Sequence, residues 1–153
     1  SFCGLETRHT ELIIPRTDDC ISLLLGSAEN RGKLTEHCGT YFLTEGWLDS
    51  DKSIFAEYRH TVERYGEARA KRVFGVMFAH YERVAVIDTG AYAVEPVYEK
   101  AQEMASTLGL RCEILPGKQS YLRTLLTGPW TQEQFLILPP GSTVEREMLS
   151  KLY

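Results

Sequence analysis

Apolar and polar positions along the chain follow two regimes that meet near residue 82. Beyond that point apolar runs alternate with amphipathic stretches. RVAVIDTG (83–90) is continuously apolar before its Asp-Thr-Gly, the character of a strand buried on both faces of a parallel sheet. A helical pattern follows, with Val97, Ala101, Met104, Ala105 and Leu108 on one face, Pro96 in its first turn and Gly109 at its end. Strand RCEIL, helix QSYLRTLL ending at Gly128-Pro129, and strand QFLIL come next. A last helix is expected to open at the capping box Ser142-Thr143-Val144-Glu145. Such alternation predicts a right-handed parallel arrangement, with VAVID, CEIL and FLIL as adjacent parallel strands.

The first half is less regular. ELIIPR (11–16) reads as a short strand stopped by Pro15, and CISLLLGS as a buried helix terminated by Gly26. Residues 28 to 49 are polar and irregular apart from the aromatic, β-branched TYFLT. From about 50 to 81 the spacing is helical. Ile54, Tyr58, Val62 and Tyr65 share a face behind the capping candidates Ser50 and Asp51. Gly66 interrupts the run, and Val73, Val76, Met77 and Tyr81 resume it.

No repeat or low-complexity linker divides the chain, so residues 1–153 are read as a single α/β domain. The expected architecture is a three-layer sandwich with a mostly parallel sheet and a Rossmann-like C-terminal half. The chain starts at Ser1, inside an apparent structural element, so a strand-helix segment is expected upstream of it.

Composition then removes several function classes. A net charge of -4 argues against nucleic acid as partner, since phosphate binding needs clustered Lys and Arg. The most basic stretch, EARAKRVF (67–74), reads as a solvated helix face. No apolar run reaches membrane length and no signal peptide is visible, which places the expected location in the cytoplasm. The four cysteines are too sparse for a disulfide framework and form no C-x-x-C pair, so zinc-ribbon and thioredoxin-type motifs are absent.

The remaining chemistry concentrates in two places. IPRTDDC sets Asp18, Asp19 and Cys20 between a strand and a helix. A helix starting there favours the thiolate of Cys20, the form that binds metals or attacks electrophiles. With Cys3 on the same rim, two thiolates would suit zinc, iron or an iron–sulfur group, with His37 and Cys38 as further ligands. The bland alternative is that Asp18 or Asp19 caps the helix and Cys20 is a small buried hydrophobe. His9, His60 and His80 have weaker claims, and Cys112, alternating with Ile114, reads as core.

The second place is VIDTGA (86–91). Its Asp-Thr-Gly resembles the active-site turn of aspartic proteases, but that fold is all-β and this motif leads into a helix. The physical reading puts Asp88 at the carboxyl end of a central strand, with Thr89 and Gly90 as the turn, where open α/β sheets hold ligands. Capping of the next helix explains Asp88 nearly as well. Trp47, with Tyr41 and Phe42, would offer a surface for a flat ligand, or simply core. A single site would place Asp88 and the 17-to-20 loop on one cleft. Neither a Walker loop, a dinucleotide fingerprint nor a Gly-x-Ser-x-Gly elbow occurs.

FCGLE, LIIPRTDDCISLLLGS, GTYFLTEGW, VAVIDTG and EQFLILPPG, in this order, resemble the family known as domain of unknown function 1638 over nearly the whole chain. The resemblance implies cysteines at the positions of Cys3 and Cys20, and a further strand-helix segment upstream. Where the family tends to carry proline before Gly-Thr-Tyr, this chain has Cys38, which weakens Cys38 and His37 as ligands. The resemblance also implies a setting in corrinoid-dependent methyl metabolism of anaerobes, with corrinoid methyltransferase proteins as partners and a corrinoid as cofactor. The leading expectation is therefore a cytoplasmic metal- or cofactor-binding accessory protein. In it Cys3 and Cys20 are ligands, while Asp19 and Asp88 orient the bound group. The alternatives are an enzyme with Cys20 as nucleophile and Asp19 or His37 as acid or base, and a non-catalytic interaction subunit that tolerates loss of both cysteines.

Overall fold

A computed structural model describes residues 3–17, 19–36 and 39–150. These residues group into two compact units, one formed by residues 1–31 with 118–153 and the other by residues 32–117. Both combine helices with strands, and the protein is α/β.

The discontinuous unit is built on strands β1 (Leu12–Pro15) and β5 (Phe135–Leu138). They pair antiparallel, Leu12 opposite Leu138 and Pro15 opposite Phe135. FLIL is therefore not the third strand of the parallel sheet, contrary to expectation. An apolar run specifies that a strand is buried, not which strand lies beside it, and LIIP carries an equally apolar face. Ile14, Leu138 and Val144 form the core here, with Met148 and Leu149 packed against them. Helix α1 (Cys20–Leu25) ends at Gly26, whose φ of 86° is the left-handed conformation that glycine adopts without steric cost. Helix α7 (Ser120–Thr127) buries Tyr121. The Tyr121 ring lies 5.3 Å from that of Phe135, and its hydroxyl donates to the Gln134 carbonyl at 2.7 Å. The last helix, α8 (Arg146–Ser150), starts a turn later than the capping box suggests. Residues 143–144 are drawn into extended pairing instead: Thr143 bridges Glu6, and the Val144 amide donates to Leu5.

The continuous unit carries a parallel sheet in the order β2-β3-β4, made of β2 (Thr40–Leu43), β3 (Arg83–Asp88) and β4 (Arg111–Pro116). TYFL, of uncertain type from sequence, is the third strand of this sheet and pairs with β3. Thr40 and Arg111 both lie opposite Arg83, so the three strands start level. One ion pair closes that amino edge. Arg83 donates to Glu113, to Thr40 Oγ1 at 2.8 Å and to the Leu34 carbonyl. Leu43, Val84 and Val86 form the core with Leu48, Phe55, Val97, Ala101 and Ala105.

These last residues come from α3 (Glu45–Leu48), α4 (Ile54–Tyr65) and α6 (Val94–Thr107). Helix α2 (Ala28–Thr35) forms in a stretch expected to be irregular and buries no residue. Ser53, not Ser50 or Asp51, caps α4, accepting from the Ala56 amide at 3.2 Å. Gly66 separates α4 from α5 (Glu67–Met77), as its position in the pattern suggests. The buried face of α5 differs from the expected one. Ala70, Phe74 and Phe78 pack against Tyr58, while Val73, Val76, Met77 and Tyr81 are exposed. Two apolar stripes compete on this helix, and the one with two phenylalanines removes more surface from water.

Candidate functional site

Parallel strands bring their carboxyl ends to one edge, where the following loops must turn. In β3 the residues Val84 to Ile87 are buried, and Asp88 emerges half-buried at the end. Asp88 Oδ1 accepts from the Gly90 amide at 2.9 Å, and Thr89 Oγ1 from the Ala91 amide at 3.3 Å. Two short side chains thus hold a tight turn, and Gly90 supplies its positive φ of 69°. The second carboxylate oxygen of Asp88 accepts no hydrogen bond from any described residue.

Neighbouring elements fix this turn from both sides. On the β4 side the Gly117 amide donates to the Asp88 carbonyl at 2.7 Å. A Cβ at residue 117 would stand 2.6 Å from that oxygen, so only glycine allows the approach. On the β2 side Tyr92 reaches across: its hydroxyl donates to the Ile87 carbonyl and lies near the Glu45 backbone. Burial pushes the Tyr92 phenol up from its ordinary range, and the nearby Asp88 and Glu45 carboxylates add to this. Glu45 opens α3, the helix that also carries Trp47. Trp47 is 46% exposed, and its indole N–H donates to Tyr41 Oη at 2.8 Å. Burial also raises the Tyr41 phenol. Asp88, Thr89, Gly90 and Trp47, the expected cofactor contacts, thus all fall on segments that follow the carboxyl ends of the adjacent strands β2 and β3.

The thiol candidates lie elsewhere in the chain. Asp19 and Cys20 belong to the discontinuous unit, whereas Asp88 belongs to the continuous one. Asp19 caps α1: its Oδ1 accepts from the Ser22 amide at 3.0 Å and the Ser22 hydroxyl at 3.2 Å. Its Oδ2 pairs with Arg31 at 3.1 Å. Both carboxylate oxygens are therefore engaged. Cys20 begins α1 and is exposed, as is Cys3, so Cys20 is not the small buried hydrophobe of the bland alternative. His37, Cys38 and Asp18 lie outside the described residues. Among the described residues no three His, Cys, Asp or Glu side chains converge as a metal-binding group. His9, His60 and His80 are exposed. Cys112 packs against the core of the parallel sheet, and burial raises its thiol to about 11.

A further feature had no signal in the sequence. A cavity of about 420 Å³ opens between the loop after α3, the first turns of α4 and the C-terminal half of α6. Leu48, Phe55, Tyr58 and Met104 supply apolar walls, and Asp51, Arg59 and Glu103 are among its polar lining. Each residue is ordinary for its element; only the packing of three separated segments brings them together.

Fold and edge define an α/β protein whose parallel sheet presents an acidic turn at its carboxyl side. The chain belongs to the family described as Protein of unknown function (DUF1638), which matches residues 1–126. No curated protein and no solved structure matches it. Among the described residues no helix is long and apolar enough to cross a membrane.

Proposed function

We propose that this protein is a cytoplasmic accessory protein that binds a cofactor at the carboxyl edge of its parallel sheet, with Asp88 as the principal polar contact. The observation that carries the reading is the state of that carboxylate. One oxygen is locked by Gly90 and the other is uncommitted, on a turn held by Gly117 and Tyr92. A fixed acceptor at the end of a buried strand costs little reorganisation when a donor arrives. The corrinoid setting implied by the family resemblance suits this donor set. The amide groups on a corrinoid's periphery would donate to Asp88, and the exposed Trp47 offers apolar contact. When bound, a corrinoid would supply the methyl-carrying chemistry, and the corrinoid methyltransferase proteins would be the partners. A bare zinc or iron ion fits the described residues less well, because no three donor side chains converge among them.

The test is a titration of the full chain with hydroxocobalamin, followed by absorbance and calorimetry. Asp88→Asn keeps the acceptor for Gly90 but loses the charge, and is expected to weaken binding about tenfold. Equal binding by the variant, or none by the parent, would remove the reading.

A second reading rests on the exposure of Cys20 at the start of α1. It would serve as a metal ligand with Cys3, or as a nucleophile. With Asp19 committed to Ser22 and Arg31, the nucleophile lacks its nearest base. Zinc titration of reduced protein separates the two. Retention lost in Cys20→Ser supports a ligand, whereas alkylation of Cys20 that blocks turnover without any metal supports a nucleophile.

A further inference from the structure

The cavity beside α4 and α6 is lined by charges of both signs and by apolar side chains, which restricts what can fill it. Leu48, Phe55 and Met104 belong to the apolar part of the lining. Arg59, Asp51 and Glu103 are exposed at the lining, and their charged groups pair with no described residue. The remaining cation, Lys100, already lies 3.9 Å from Asp49. A fatty acid would leave the two carboxylates unmatched, and a polyamine would leave the guanidinium unmatched. At about 420 Å³ the volume sits toward the small end of ligand cavities, roughly 300–1,000 Å³.

We propose that this cavity binds a small zwitterion with an apolar body, of the apolar α-amino acid class. The Arg59 fork takes the carboxylate, since a planar guanidinium matches its two oxygens. Asp51 and Glu103 take the ammonium. The side chain covers Leu48, Phe55 and Met104 and removes their surface from water. This site is separate from the Asp88 edge and does not rest on the function proposed for it.

The experiment is calorimetric titration of the full chain with L-leucine and with its two halves, 4-methylpentanoate and 3-methylbutylamine. Leucine is expected to bind, and each half at least about tenfold more weakly. Arg59→Ala replaces an exposed residue by a good helix former, so the fold is retained. It should weaken leucine about tenfold without lowering the melting temperature. Asp88→Asn should leave leucine binding unchanged. Either half binding as tightly as leucine would overturn the proposal, as would Arg59→Ala with parental affinity. So would loss of leucine binding in Asp88→Asn, or no binding of leucine or methionine up to about 10 mM.

Discussion

Environment separates residues that composition treats alike. Cys20 and Cys112 are both isolated thiols in the sequence, yet Cys20 is exposed at a helix start while Cys112 leans on the core of the parallel sheet. Burial raises the Cys112 thiol to about 11, and the adjacent Glu113 carboxylate pushes the same way. In the unfolded chain this thiol ionises near its ordinary value of 9.0. Its contribution to stability is therefore fully present below pH 9, and it declines as the pH rises toward about 11, because the unfolded state releases its proton first. Urea midpoints measured across that window should fall with pH, and Cys112→Ala should flatten the part due to this residue. The tyrosines Tyr41, Tyr92 and Tyr121 are raised by burial too, so the slope shared by both proteins reports them. An identical slope in the variant would refute the assignment. In native protein at pH 8, iodoacetamide should label Cys20 well before Cys112.

Elements were legible where one apolar pattern ran without a rival. The strand VAVID, the helix with Pro96 in its first turn, and the break at Gly66 follow directly from such patterns. Helix α5 did not, because its two stripes overlap and only tertiary packing chooses between them. The choice is measurable: Phe74→Ala should cost about 3–5 kcal/mol, and Val76→Ala on the exposed stripe within about 0.5 kcal/mol of zero. Similar losses for both would mean that the helix has its other face inward. Glycines divide in the same way. A Cβ on Gly39 would stand 1.8 Å from the His80 carbonyl, and Gly39 accepts from both Glu82 and Arg83 at the start of β3. Gly75, inside α5, meets nothing within 4 Å. Gly39→Ala should destabilise by about 3 kcal/mol or more, whereas Gly75→Ala should stabilise by about 0.5–1 kcal/mol. Thermal melts of the two variants that shift in the same direction would contradict these placements. The candidate site was legible in part. The crevice rule finds Asp88, Thr89 and Gly90, but no local pattern reveals that Tyr92 and Gly117 hold their turn or that Arg59 and Glu103 share a cavity.

At the scale of the molecule, the decisive contact joins distant parts of the sequence. Pairing of β1 with β5 brings Leu12 opposite Leu138, and local periodicity says nothing about such a partner. Closing so long a loop costs entropy that only the assembled core offsets, so this unit should depend on its last segment. Deleting residues 128–153 removes β5 and Val144, and leaves Ile14 and Tyr121 without the partners that bury them. The continuous unit keeps every strand and helix that contributes to its two core clusters. Amide exchange should therefore respond unevenly. The amides of residues 12–14 and of Arg16, which donates to the Gln134 carbonyl, should exchange about a hundredfold faster or more in the truncated chain. Those of Val84–Ile87, bonded within the parallel sheet, should keep most of their protection. Uniform loss across both strands would show that the two units fold as one. Unchanged protection at residues 12–14 and Arg16 would show that β1 does not rely on β5, and the antiparallel pairing assigned to these strands would then be wrong.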